Sequence, residues 1–380
     1  MKKISIIVCL LAGILLSFSF YEKKEVSLNL FYTLNYEGDS WQKQRTGFLW
    51  ALSYLGAELP KGSFDKSMKW TDSSNFTLNF NSLGFNDHAL AALESITDSI
   101  KKTAYYAKYN RIELGQFIAL TIGSSPHYYA ITNTAASYDQ FLKTHDLKDP
   151  SVFLVTKSTV AKHHRIIRYK LNPSVLKATF VAEEGNGDVN AGFTPAFFET
   201  IDVMKNGQLH FAIYDAGGKL VNASPAERGV AGKPAKCLWC HEIVFQPLYA
   251  KTDSVKNSIG PQEFQQLIEK QNILLDNYRN TLNSDINFSN RQDHTLMELL
   301  YISYMEPSLR KIAKEWNVPE KELKAILNQQ TTHTHYEFKF LDSLYYRNEV
   351  EQHTPCKYIS TAKDIREPCV YEPDFIKRKR

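Results

Sequence analysis

The chain has little cysteine and little net charge: 5 Cys in 380 residues, and 45 Lys and Arg against 41 Asp and Glu. A formal charge of +4 with no basic concentration argues against a nucleic-acid partner. Outside residues 1–20 no apolar run approaches the length of a membrane span. No internal repeat is visible, so a repeat architecture is not expected. What is present is ordinary for a soluble globular protein, 43% hydrophobic and 23% charged. At this length two or three domains are expected.

Residues 1–20 read as a secretory signal. Lys2 and Lys3 precede an apolar run over 4–16, and Ser17-Phe18-Ser19 places small residues for cleavage after Ser19. An uncleaved N-terminal anchor is the alternative. The expected location is the periplasm or another exported compartment. Cys9 leaves with the signal, so four cysteines remain. Two of them, Cys356 and Cys369, would face an oxidising compartment, where a structural disulfide is the natural reading. It would close a short loop and contribute about 3 kcal/mol.

The other two form Cys237-Leu238-Trp239-Cys240-His241. Two thiols on one helical turn can each form a thioether to a haem vinyl group, and the following His241 can bind the iron from below. Over residues 233–247 the chain resembles the c-type cytochromes. The resemblance implies one covalent haem c on Cys237 and Cys240, with His241 as proximal iron ligand. It also implies export, because covalent haem attachment in bacteria occurs outside the cytoplasm. Two other readings stand beside it. A thioredoxin-like dithiol would need a βαβ context, which is lacking here. A zinc site would need two further ligands, which Cys356 and Cys369 could supply.

Candidates for the sixth iron ligand are Met297, Met305 and His294. Lys233, Lys236 and Arg228 precede the motif and can pair with haem propionates or with carboxylates of a redox partner. A solvated loop face is their other reading. Trp239 can pack on the ring edge or face a docking surface. His127, flanked by tyrosines in a loop, could reach a pocket. His333 and His335 lie on one side of an extended segment, and two ligands alone do not complete a metal site.

The expected architecture is α+β. Helices over 39–59, 87–107 and 112–122, with a short one from 138, make a helical module over 21–149. Strands over 151–156, 165–170, 178–182, 200–204 and 209–214 make an antiparallel β meander within 150–232. In it Lys205-Asn206-Gly207 marks a hairpin, with Ile201 and Val203 on one face with Leu209, Phe211 and Ile213. A helical haem-bearing region follows over 233–345. Its segment 312–327 has a helix-turn-helix pattern, read as two packed helices. Residues 346–380 form an irregular basic tail with weak membrane-surface contact as its sharper reading.

Three functions are in view. The first is a monohaem electron carrier that exchanges one electron with a redox partner protein. The second is a haem enzyme or small-ligand sensor for peroxide or nitrogen-oxide chemistry, with an open sixth position. The chain's size favours this, and a β-rich segment before a late haem motif is similar in outline to P460-type cytochromes, although no lysine here matches their haem cross-link. A single motif disfavours dihaem peroxidases. The third is an interaction protein with structural haem or zinc. Electron transfer is the leading expectation.

Overall fold

The computed structural model describes residues 24–147, 150–155, 157–158, 165–187, 192–224, 232–247, 249–251, 259–356 and 374–376. Residues 1–20, where a signal is expected, Arg228, Cys369 and the basic run 377–380 lie outside them. Among the described residues no helix is long and apolar enough to cross a membrane.

The fold is α+β, with a mixed N-terminal region, a five-stranded antiparallel sheet and a helical C-terminal region. The N-terminal region is not purely helical. Strands β1 (Ser27–Phe31), β2 (Met68–Trp70), β3 (Asn75–Asn79) and β4 (Ile112–Glu113) form a sheet of order β2-β3-β1-β4. β1 was missed because it is only five residues long, although Leu28 and Leu30 alternate inward as a strand requires. Residues 112–113 extend from the expected third helix into this sheet, pairing in parallel with β1.

The helices are α1 (Trp41–Tyr54), α2 (Asp87–Lys101), α3 (Leu114–Leu120), α4 (Ser125–Ile131) and α5 (Tyr138–Thr144), with shorter turns between them. Asn86 caps α2 through its side chain, and the expected single helix over 87–107 breaks after Lys101 and restarts at Ala104. The expected third helix does stop before Gly123, and Pro126 belongs to the next helix. This proline sits in the first turn of α4, where its missing N–H costs nothing.

The large sheet contains β5 (Ser151–Val155), β7 (Arg165–Lys170), β8 (Thr179–Asn186), β9 (Thr194–Val203) and β10 (Leu209–Asp215) in the order β10-β9-β8-β7-β5. A small ribbon pairs β6 (Lys157–Ser158) with β11 (Tyr249–Lys251). The expected hairpin is present. Val203 pairs with Leu209 and Ile201 with Phe211, which puts them on one face. Gly207 takes φ +80° in the turn, and the Asn206 amide donates to the carbonyls of Ser53 and Ala57. The hairpin tip is therefore fixed to α1. On the reverse face Asp202 accepts from His210, whose Nε2 lies 2.8 Å from the Thr134 hydroxyl.

Helix α6 (Pro234–His241) carries the cysteine motif, and α7 (Pro261–Asn280) packs Phe264 and Ile268 toward the sheet. Helix α8 (Thr295–Met305) lies against α1 and α3. Helices α9 (Leu309–Trp316) and α10 (Glu320–Ile326) pack on each other around Ile312, Trp316, Leu323 and Leu327, a small second core. One continuous apolar core joins all the other regions, from Val26 to Leu344.

Candidate haem site

Four strands build the floor of the site. The register aligns Phe180, Ile201 and Phe211 across β8, β9 and β10, and aligns Ile167, Ala182 and Glu199 across β7, β8 and β9. Side chains directly opposite in an antiparallel pair share a face. The small Ala182 between two larger neighbours leaves a hollow. Phe264 and Ile268 of α7 form one wall, and Phe245 closes another against Phe180 at 4.9 Å between ring centroids. The cavity has a volume of about 120 Å³ and an open mouth, so a group the size of a haem would occupy the mouth as well as the cavity.

Helix α6 forms the roof. Pro234 starts it, suited to a first turn by its fixed φ. Cys237, Cys240 and His241 all line the cavity, since i, i+3 and i+4 lie on one helical face. Trp239 points the other way, 8% exposed and 6.3 Å from the Tyr301 ring on α8. It faces neither the cavity nor a docking surface. The helix ends abruptly after His241. Glu242 and Ile243 take φ +44° and +72°, and a β-branched residue in that region is strained. A buried arginine holds the turn. Arg279 of α7 donates through Nη2 to the Ile243 carbonyl at 2.7 Å and through Nε to the Gly207 carbonyl at 2.9 Å. Burial lowers this guanidinium to about 10.

The chemistry of the three motif residues suits haem better than a reactive dithiol. Burial pushes the Cys237 thiol well up, and the Glu199 carboxylate adds to it. A redox-active cysteine needs the opposite shift. Burial lowers His241 to about 4, with Arg165 contributing, so its imidazole is neutral at pH 7 as an iron ligand must be. Its Nδ1 is buried without a hydrogen-bond partner. An orphaned imidazole nitrogen beside two thiols in an apolar cavity fits a haem held there. Among the described residues no three His, Cys, Asp or Glu side chains converge as a metal site. The zinc reading depends on Cys369, outside those residues, and on Cys356, which is half-buried.

The remaining sequence candidates divide. Lys236 lines the cavity. Lys233 is fully buried, and its ammonium donates to the Gly123 carbonyl at 2.7 Å, joining α6 to the start of α4. Met297, Met305 and His294 are buried on or beside α8 and do not line the cavity. His127 sits inside α4, not in a loop. Its Nδ1 bonds the Leu120 carbonyl and its Nε2 accepts from the Phe375 amide at 2.8 Å. His333 and His335 do not converge. His333 pairs with Glu306 at 2.6 Å, while His335 accepts from the amides of Glu337 and Phe338.

Sequence reasoning missed the cavity's polar end, Arg165 and Glu199, with Glu184 behind them. The only available signal was charge at positions where the strand pattern points inward. No family model, curated protein or solved structure matches this chain.

Proposed function

We propose that this chain is a monohaem c-type protein whose haem fills the cavity under α6 and leaves one iron face open to a small ligand. Cys237 and Cys240 hold the macrocycle, His241 binds the iron, and Lys236 is placed for a propionate. The bound group would supply reversible ligand binding and one-electron chemistry. The chain's own part is to keep His241 neutral, to exclude water with Phe180, Phe211, Phe245 and Phe264, and to fix the motif's exit turn through Arg279. The leader and the motif together support work outside the cytoplasm, with a redox partner protein as electron source or sink.

One observation carries the open-face reading: among the described residues lining the cavity, His241 is the only histidine, and no methionine is among them. A six-coordinate electron carrier would need a second such ligand there. This moves the preference from a plain electron carrier to a ligand-binding haem protein.

The test is expression of the full chain with haem-attachment machinery, followed by visible spectra. Haem that stays with the denatured chain, is lost in Cys237→Ala/Cys240→Ala, and shifts on adding carbon monoxide to the reduced protein is the expected result. A covalent haem that ignores carbon monoxide would return the reading to a six-coordinate carrier. No covalent haem would overturn both.

A further inference from the structure

The polar end of the cavity holds a half-made fork. Arg165 opens β7 at 7% exposure, and Glu184 is its cross-strand partner on β8. Arg165 Nη2 donates to Glu184 Oε2 at 3.2 Å and to Glu199 Oε2 at 2.9 Å. A guanidinium presents Nε and Nη2 on one edge, and a carboxylate commonly takes both in parallel. Here Glu199 takes only the Nη2 leg. Arg165 Nε and Glu199 Oε1 are both buried without a hydrogen-bond partner, and both residues line the cavity. Unmet charged donors and acceptors are costly in a low-dielectric interior. A donor and an acceptor left unmet on the two halves of one ion pair, both sealed from solvent, can take a small guest from the cavity once the side chains part.

We infer that Arg165 and Glu199 form a receiving site for a small neutral molecule with an O–H donor and a lone-pair oxygen side by side, of which hydrogen peroxide is the simplest. The inference rests on the haem reading, because the same cavity would bring that molecule to the iron. Arg165 Nε gives its hydrogen to the lone pair, and Glu199 Oε1 takes the O–H. Charge sets the selectivity. An anion in the place of that O–H would meet the Glu199 carboxylate and bring it no donor. Lys236, the cavity's other cation, stands on α6 beside Cys237, where the sequence reading gives it a propionate. Carbon monoxide offers neither atom a hydrogen bond worth having.

The experiment uses the full haem-loaded chain. Ferric protein is mixed with hydrogen peroxide in a stopped-flow instrument, and the rate of the Soret change is read. Glu199→Leu, which deletes the acceptor, should slow it about tenfold, and Glu199→Gln, whose carbonyl still accepts, about two- to threefold. Azide, an anion, should bind more tightly in both variants, and azide affinity that stays or falls would count against the charge argument. Carbon monoxide affinity should not move. Should Glu199→Leu fail to fold, Arg165→Lys, which loses Nε, replaces it and should slow peroxide about tenfold. Peroxide rates unchanged in the folded variants, with carbon monoxide still bound, would overturn the inference and leave the haem reading intact. A water that merely completes the fork would give that outcome. A chain without covalent haem, or with haem that ignores carbon monoxide, would remove the haem reading and the inference with it.

Discussion

His294 sits at the entry to α8 at 5% exposure, and burial lowers it to about 4 from an ordinary value of 6.5. Between those values the unfolded chain binds more protons than the folded one. The stability tied to His294 is therefore complete above about pH 6.5 and is lost as pH falls toward 4. The shift corresponds to roughly 3 kcal/mol at 1.36 kcal/mol per unit. His294→Gln should flatten the dependence, losing less of its denaturant midpoint between pH 7 and pH 4.5 than the parent. Parent and variant must share one haem state, because burial pulls His241 in the same direction. Equal losses would show that His294 is not the source. At this scale the sequence disclosed what is local. Cys237, Cys240 and His241 are recognisable because their chemistry needs neighbours in the chain. Arg165 and Glu199 are 34 positions apart and meet only through strand register. Lys233 looks like a cavity cation by position, yet its stem is buried and its charge is spent on a distant backbone carbonyl.

The elements obey the same division. The hairpin at Asn206-Gly207 was legible because its turn chemistry and its alternating strands are contiguous. β4 was not, since two residues at the head of a helical pattern carry no period of their own, and only pairing with β1 defines them. Close helix packing was equally hidden. A Cβ on Gly47 of α1 would lie 2.5 Å from the Leu296 carbonyl oxygen, and one on Gly115 of α3 would lie 2.6 Å from Tyr304 Cβ. Both glycines let α8 approach backbone to backbone. In an exposed helix, Gly→Ala stabilises by about 0.5–1 kcal/mol. Here the sign reverses. Gly47→Ala and Gly115→Ala should each destabilise by roughly 1–3 kcal/mol through overpacking, measured as a lower denaturant midpoint with an unchanged slope. A neutral or positive effect at either site would mean that α8 can move away at no cost, and that the contact is looser than its geometry.

Across the whole molecule, buried charges join segments far apart in sequence. Lys311 of α9 donates to Glu113 at 2.8 Å with both side chains 1% exposed, and Glu113 also caps α3 through the Gly115 amide. Arg347 grips Glu315 with two nitrogens and donates to the Tyr304 carbonyl. Helix α9 is thus bound to the N-terminal region by one buried ion pair, with no water to replace a lost partner, while the Arg347–Glu315 pair ties the C-terminal segments to each other. Burial raises Glu113 despite Lys311 beside it, so desolvation outweighs the pair's attraction. Such a pair adds little net stability, yet breaking it from one side is severe. Lys311→Met, which strands the carboxylate, should cost roughly 3–5 kcal/mol. Lys311→Met/Glu113→Gln, which removes both charges of this pair and keeps an oxygen for the cap, should cost markedly less than the two single changes summed. Guanidinium unfolding of the four proteins in the cycle measures the coupling. The parent should unfold in one transition, because one apolar core runs from β1 to the segment after α10. Additive costs would mean that Lys311 and Glu113 are held apart in solution. Helix α9 would then be attached to the N-terminal region by apolar contact and by neutral hydrogen bonds such as those from Tyr105 and Tyr109 to the carbonyls of Glu315 and Trp316.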